Sequence, residues 1–335
     1  MSRWTGPMGF ICLLLACCAH RPAVQRIHFL MDTMVRIVIY DAHMPEEEIN
    51  TVIDGTLALM ENLERRMSSY GDSSEITQLN THAGRSKVQP SAETRHVLRA
   101  ACEIGERTDG AFDITMGTVK ALWHFESSSA AVPPEAEIAS ALRHVDFRAV
   151  IFADSSVMLR DPGMLVDLGG IAKGYIIDRA VAFLQSHGIR AGIVEAGGDL
   201  RIFGNHPFRP LWKIGIKHPR HAREGMLAVL ETPPASIATS GDYERYFISD
   251  GVRYHHLLDP ETGFPARPCV SVTICAPSAL EADAYATAVF IAGPDRGRTL
   301  ISEMPDLEGV IVWQSGEELN TWTSDGLLKH IEFQH

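Results

Sequence analysis

The chain has 335 residues, 45% apolar and 21% charged, an ordinary globular composition that excludes a disordered, collagen-like or polytopic membrane protein. At roughly 150 residues per domain, the length allows one large domain or two ordinary ones. Thirty Lys and Arg stand against 42 Asp and Glu, a net charge of -12; no nucleic-acid partner is expected without a broad basic face, and a phosphate-bearing ligand would need a local cation, a helix N-terminus or a metal.

The N-terminus combines Arg3 with a short apolar run from Met8 to Ala16. That run is too short to span about 30 Å of hydrocarbon as a helix and reads as a secretory signal peptide. Leu14-Leu15-Ala16-Cys17 resembles a bacterial lipobox, which predicts cleavage before Cys17 and lipid on its sulfur. The plainer alternative is an ordinary signal peptide with incidental cysteines. The expected organisation is a signal over residues 1–16, a tether over 17–26 and one domain over 27–335. The mature protein is then a lipoprotein held at the periplasmic face of the bacterial inner membrane by its acyl chains. Of six cysteines, Cys12, Cys17 and Cys18 fall in this address. Cys102, Cys269 and Cys275 are too few for a disulfide framework and are expected to be small buried apolar side chains.

Residues 34–40 read as a strand. From 46 to 69, Ile49, Val52, Ile53, Leu57, Met60, Leu63 and Met67 recur at three and four, the spacing of an amphipathic helix. Pro45 and the acids Glu46, Glu47 and Glu48 suit its start. A second helix is expected over 91–108. The Ser/Ala/Pro-rich stretch 124–146 has weak helical signal and reads as a surface excursion. Residues 148–166 read as a strand pair and 172–187 as a helix. Strands are then expected at 191–195, 211–217, 226–231, 235–239, 244–249 and 252–258. Asp250-Gly251 supplies the positive φ angles of a two-residue hairpin turn. A strand at 269–276 precedes a helix over 279–292, which Ser278 and Glu281 open as a capping box. Strands at 309–313 and 328–334 close the chain. Without an internal repeat or a Gly/Ser linker, one α+β unit is favoured over two domains.

Chemistry concentrates in three segments. In Asp167-Leu168-Gly169-Gly170-Ile171-Ala172-Lys173-Gly174, two glycines ahead of a helix let an anion approach free N–H groups. Lys173 adds a charge for a phosphate, and Asp167 suits a ribose hydroxyl or a ring N–H. A tight strand-to-helix turn with a solvated lysine is the plainer reading, and the spacing matches neither a P-loop nor a dinucleotide fingerprint. In Glu281-Ala282-Asp283-Ala284-Tyr285-Ala286-Thr287, Asp283 and Thr287 share one helix face. A carboxylate and a hydroxyl suit a hard cation such as Mg²⁺; alternatively Asp283 complements the helix N-terminus and Thr287 packs. His255 and His256 end a strand ahead of an Asp-Pro-x-x-Gly turn, so only one can face a given pocket. A neutral His is a general base for a hydroxyl nucleophile or simply a surface side chain. Ala111-Phe112-Asp113 could offer a ring and a carboxylate to a cofactor or be core and turn. Gly197-Gly198-Asp199 reads as a tight turn.

Together these segments resemble the ApbE family of FAD:protein FMN transferases, in order from about Met31 to Gly293. The shared motifs are Met31-Asp32-Thr33, Ser68-Ser69-Tyr70 ahead of Ser74-Glu75-Ile76, Phe112 to Thr115, Asp167 to Gly174, Gly197 to Asp199, His256 to Gly263, and Glu281 to Thr287. The resemblance implies a single mixed sheet-and-helix domain related to the T-fold. It implies FAD contacts at Met31, Tyr70, Ala111, Phe112, Asp113, Asp167, Lys173 and Leu257. It implies Mg²⁺ held by Asp283, Thr287 and the carbonyl of Gly170. The reaction would move FMN from FAD to a Thr hydroxyl of an exported flavoprotein similar to redox-pump subunits, releasing AMP. Such a step needs an activated hydroxyl, for which His256 is the candidate base on chemical grounds. Tyr70 is expected to shield the site from water. Asp32 stands where the family has Gly, and Glu195-Ala196 where it often has Asn. The competing functions are a Mg²⁺-dependent FAD pyrophosphatase and a non-enzymatic flavin-binding lipoprotein.

Overall fold

Buried Val35, Ile37 and Ile39 alternate with exposed Met34 and Arg36 along the second strand, which therefore has one covered face. The computed structural model describes residues 23–41, 43–71, 74–125, 130–220 and 225–334. In chain order these form β1 (Val24–Leu30), β2 (Thr33–Ile39), α1 (Glu46–Met67), α2 (Glu75–Thr81), α3 (Ala92–Arg107), α4 (Gly117–Trp123), α5 (Glu135–Leu142), β3 (Val150–Ala153), β4 (Ser156–Leu159), α6 (Ala172–Ser186), β5 (Gly192–Ala196), β6 (Asp199–Phe203), β7 (Trp212–Lys217), β8 (Met226–Thr232), β9 (Ser236–Gly241), β10 (Tyr246–Ser249), β11 (Val252–His255), β12 (Cys269–Ala276), α7 (Ala279–Glu303), β13 (Glu308–Ser315), β14 (Glu318–Thr323) and β15 (Ile331–Phe333). The fold is the expected mixed α+β domain.

One antiparallel sheet in the order β1-β2-β5-β6-β9-β12-β13-β14 is the centre of the molecule. α1, α6 and α7 cover one face with the main core, built on residues such as Ile53, Met60, Ile177 and Phe290. The smaller sheet β15-β8-β7 covers part of the other face through Leu200, Ile202, Trp212 and Val310. Every residue of β12 is consequently buried, so even its alternating Ser271 and Thr273 are covered and the strand carries no charged residue. A third cluster around Trp123, Ile138 and Leu258 seats α4 and α5 beside the β10–β11 hairpin.

Several boundaries differ from expectation. The first strand begins at Val24, inside the stretch assigned to the tether, and Arg26 is bound to Asp54 and Asn50 of α1. Helix α5 lies within the stretch read as an excursion; its two buried residues, Ile138 and Ala141, give only a narrow apolar stripe. α7 continues to Glu303 across a break at Gly293, whose φ of 81° precedes Pro294. β1, α2, α4, β6 and β14 have no counterpart among the expected elements. The signal peptide and Cys17 lie outside the described residues. Cys269 and Cys275 are buried free thiols, whereas Cys102 is only partly buried.

The closest helix approach places the site. Gly174 of α6 meets the start of α7, where a Cβ would lie 2.6 Å from the Ala279 carbonyl carbon and 2.8 Å from the Leu280 nitrogen. Asp178, one turn further along α6, accepts the N–H groups of Ala279 and Leu280, both at 2.9 Å. Ser278 caps the same helix by accepting the Glu281 N–H at 3.2 Å. Because backbone cannot yield as a side chain does, Gly174→Ala should cost about 1–3 kcal/mol by overpacking, read as a lower denaturant midpoint; an unchanged midpoint would refute the close approach.

Candidate active site

A cavity of about 480 Å³ opens beside this helix contact, within the usual range for small-molecule sites. Of the expected site residues, Met31, Tyr70, Phe112, Asp113, Asp167, Gly170, Lys173, His256, Leu257, Asp283 and Thr287 all line it. Ala111 does not: it is buried in the preceding turn, where its N–H donates to the Thr108 carbonyl. The glycine turn, the α7 face and the histidine strand, far apart in sequence, thus converge.

The α6–α7 junction forms the polar floor. The Gly174 N–H donates to Asp283 Oδ2 at 3.0 Å. No hydrogen bond reaches Oδ1 from the described residues. Thr287 Oγ1 lies 3.3 Å from Ser240 Oγ, and a Cβ on Gly170 would be 3.5 Å from Thr287 Oγ1. Lys173 is ion-paired with buried Asp199. Burial would lower the Lys173 pKa, yet Asp199 and Asp283 hold it above the ordinary lysine value. Burial pushes the Asp283 carboxyl up to about 7 against the pull of Lys173. A carboxylate so placed calls for more positive charge than one lysine supplies. The Thr287 and Ser240 side chains offer hydroxyl oxygens, which suit a hard divalent cation. Among the described residues no cluster of three or more His, Cys, Asp or Glu could hold a metal, so an ion here would need neutral oxygens as well as carboxylate.

The opposite wall departs from expectation. Asp167 is already engaged: Oδ1 accepts from Lys120 Nζ at 2.8 Å and the Gly169 N–H at 3.0 Å, and Oδ2 from the Ser69 hydroxyl at 3.0 Å. Against the effect of burial, these partners, Lys120 foremost, hold its carboxyl below the usual carboxylate range. Asp113 does not offer its carboxylate freely. Its Oδ1 accepts the Thr115 N–H and hydroxyl at 2.7 and 2.5 Å, and its Oδ2 the Phe147 N–H at 3.0 Å, so it holds the loop while Phe112 presents the ring. Burial raises its pKa. Tyr70 lines the cavity at its mouth and is 77% exposed.

The rim is the two-residue turn Met31-Asp32, where both residues have φ of 55°. With Leu30 facing Thr33, this is a type I′ hairpin made without glycine. The Met31 N–H donates to Glu64 Oε1 at 2.9 Å, and burial raises the Glu64 pKa. Glu195 lies outside the cavity lining. It pairs with Arg36 at 2.8 Å and accepts the Gly198 N–H at 3.3 Å, which makes it a strand-end and turn residue.

The adjacent histidines part as alternation requires. His255 is buried and contacts the Ala266 carbonyl at 3.1 Å, and His256 faces the cavity. His256 Nδ1 lies 3.3 Å from the Arg245 carbonyl. A carbonyl only accepts, so that contact selects the Nδ1–H tautomer and leaves Nε2 as an acceptor. Sequence reasoning did not find Lys120 or Ser240 as site members, and it read Asp199 as turn only. Asp199 was inside a quoted motif; Lys120 had no local signal.

A family model described as the ApbE family matches residues 31–311. The FAD:protein FMN transferase of Treponema pallidum is 32% identical over 324 residues, covering 90% of this chain and 89% of that protein. The solved ApbE protein of Thermotoga maritima superposes with a TM-score of 0.83 at 37% identity, covering 91% of this chain and 97% of that one. The flavin transferase ApbE of Vibrio cholerae gives 0.82 at 29%, covering 92% and 100%.

Burial and the nearby charges of His255, Lys120 and Arg245 push the His256 pKa down to about 3. The sign is that of a base kept neutral: protonation waits until the pH falls far below the ordinary histidine value. NMR titration of the ligand-free protein should therefore show no His256 protonation step between pH 5 and 8. A midpoint near 6.5, the ordinary value, would refute the buried placement.

Proposed function

The chain belongs to the ApbE family, and on that premise we propose that it transfers FMN from FAD to a Thr hydroxyl of an exported flavoprotein and releases AMP. What carries the reading is the meeting of Asp283 and Thr287 with the Gly169-Gly170 turn in one cavity that also holds His256. Asp283, Thr287 and the Gly170 carbonyl are the oxygen donors for Mg²⁺. The ion would supply charge neutralisation on the diphosphate.

The chain's own residues divide the remaining work. Phe112, Met31 and Leu257 give the ligand apolar walls, and Tyr70 stands at its entrance. Lys173, kept protonated by Asp199, offers a fixed positive charge to the phosphate oxygens. His256 Nε2 takes the proton of the attacking hydroxyl. As that oxygen bonds to the flavin-side phosphorus, the bridging P–O bond breaks and its electron pair leaves with AMP. A neutral imidazole has a free lone pair for that proton, and a bound anionic diphosphate would offset the neighbouring cations and raise its basicity toward the working pH.

The signal peptide and Cys17 lipobox add an address: a lipoprotein at the periplasmic face of the inner membrane, where acceptors similar to redox-pump subunits would be reached. The exposed Tyr70 favours a second reading, FAD pyrophosphatase activity, since an open mouth admits water as well as a polypeptide. Incubating the purified mature protein with FAD, Mg²⁺ and a candidate acceptor separates the outcomes. Flavin bound covalently to a Thr, with AMP, supports transfer; free FMN with AMP supports hydrolysis; intact FAD refutes both and leaves a flavin-binding protein.

Two variants test the assignments. Asp283→Ala should abolish turnover, as should a chelator in the wild type, with added Mg²⁺ restoring only the latter. Full activity of Asp283→Ala would sink the metal assignment. His256→Ala should bind FAD normally but slow transfer by roughly 10²–10⁴, the usual contribution of a general base. Loss of FAD binding instead would make His256 a binding residue.

A further inference from the structure

The cavity holds two lysines, and the mechanism above uses only Lys173. Lys120 stands on the opposite wall, on the seven-residue helix α4. Its side chain is 31% exposed and faces the same space as Asp167 and His256. Nζ sits 2.8 Å from Asp167 Oδ1, and a Cβ on Gly169 would lie 3.2 Å from Nζ and 2.9 Å from that oxygen. The glycine therefore lets the pair close over the turn.

Counting donors and acceptors shows what remains for a ligand. A carboxylate has about four acceptor positions. Lys120, Gly169 and Ser69 fill three of those on Asp167, and Oδ2 keeps the open one. An ammonium has three donors, and Asp167 takes one of Lys120's. Side by side, the wall thus presents a carboxylate acceptor held below the usual carboxylate range and the remaining N–H donors of Lys120.

We propose that Lys120 and Asp167 together read the edge of a planar heterocycle carrying an N–H beside a carbonyl or ring nitrogen. Asp167 Oδ2 accepts from the N–H, and Lys120 Nζ donates to the neighbouring acceptor. The proposal rests on the flavin-dinucleotide reading, and both rings of FAD carry such an edge: the flavin N3–H between two carbonyls, and the adenine amino group beside a ring nitrogen. Lys120 has a second part in this. Without its charge, burial would favour a neutral Asp167, which would then donate where the ligand also donates.

Calorimetric titration of wild type, Lys120→Met and Lys120→Arg with FAD, and separately with FMN and with ADP, tests this without turnover. Lys120→Met should weaken FAD binding by about tenfold or more, the scale of a lost charged hydrogen bond. The loss should fall on one half-ligand, FMN or ADP, leaving the other within about twofold, and the half that suffers identifies the ring. Lys120→Arg should stay within about threefold of wild type, since it keeps the charge and the donors. If Lys120→Met melts early, Lys120→Gln carries the same comparison. Unchanged FAD affinity overturns the proposal. So does an equal loss for FMN and ADP, which would make Lys120 a general charge for phosphate. Wild type that fails to bind FAD would refute the flavin-dinucleotide reading itself, a separate outcome.

Discussion

The structure depends on one contact between backbones. At Gly174 and Ala279, α6 and α7 approach so closely that a single added carbon has no room. That approach puts the Gly174 N–H onto Asp283 and aligns the α7 face with the glycine turn. A carboxylate that is 6% exposed is costly unless something answers its charge. One hydrogen bond and a lysine shared with Asp199 answer it in part. The remaining demand for positive charge is what makes this corner fit a hard cation.

Charge is distributed over two walls of the cavity. On one, Asp283 and Asp199 surround Lys173; on the other, Asp167 is matched by Lys120. An acidic protein can thus prepare a site for an anionic ligand locally, without a basic surface. His256 lines the same cavity as a neutral group. Its neutrality comes from removal from water and from neighbouring cations, so the features that suit the cavity to phosphates also keep the base unprotonated.

Much of this was legible in the sequence, and the exceptions have physical causes. The α1 periodicity, the Asp250-Gly251 turn and the β-branched run of β12 are local signals, and the structure follows them. The Asp167–Gly174 and Glu281–Thr287 segments were recognised as chemical, yet their meeting in space depends on Gly174, whose role no local pattern shows. Asp113 misled because a carboxylate beside an aromatic ring looks available, whereas its oxygens are consumed by Thr115 and Phe147. Lys120 escaped because α4 is too short for its spacing to register, and its partner Asp167 is 47 positions away.

Asp178 extends the reach of the site beyond the residues that line it. Its two oxygens hold the first N–H groups of α7, and its own orientation is fixed by an ion pair with Arg201 on β6. Neither residue enters the cavity, yet the tilt of the helix that bears Asp283 and Thr287 depends on both. A substitution at either position, though it looks peripheral, would be felt as a misplaced carboxylate.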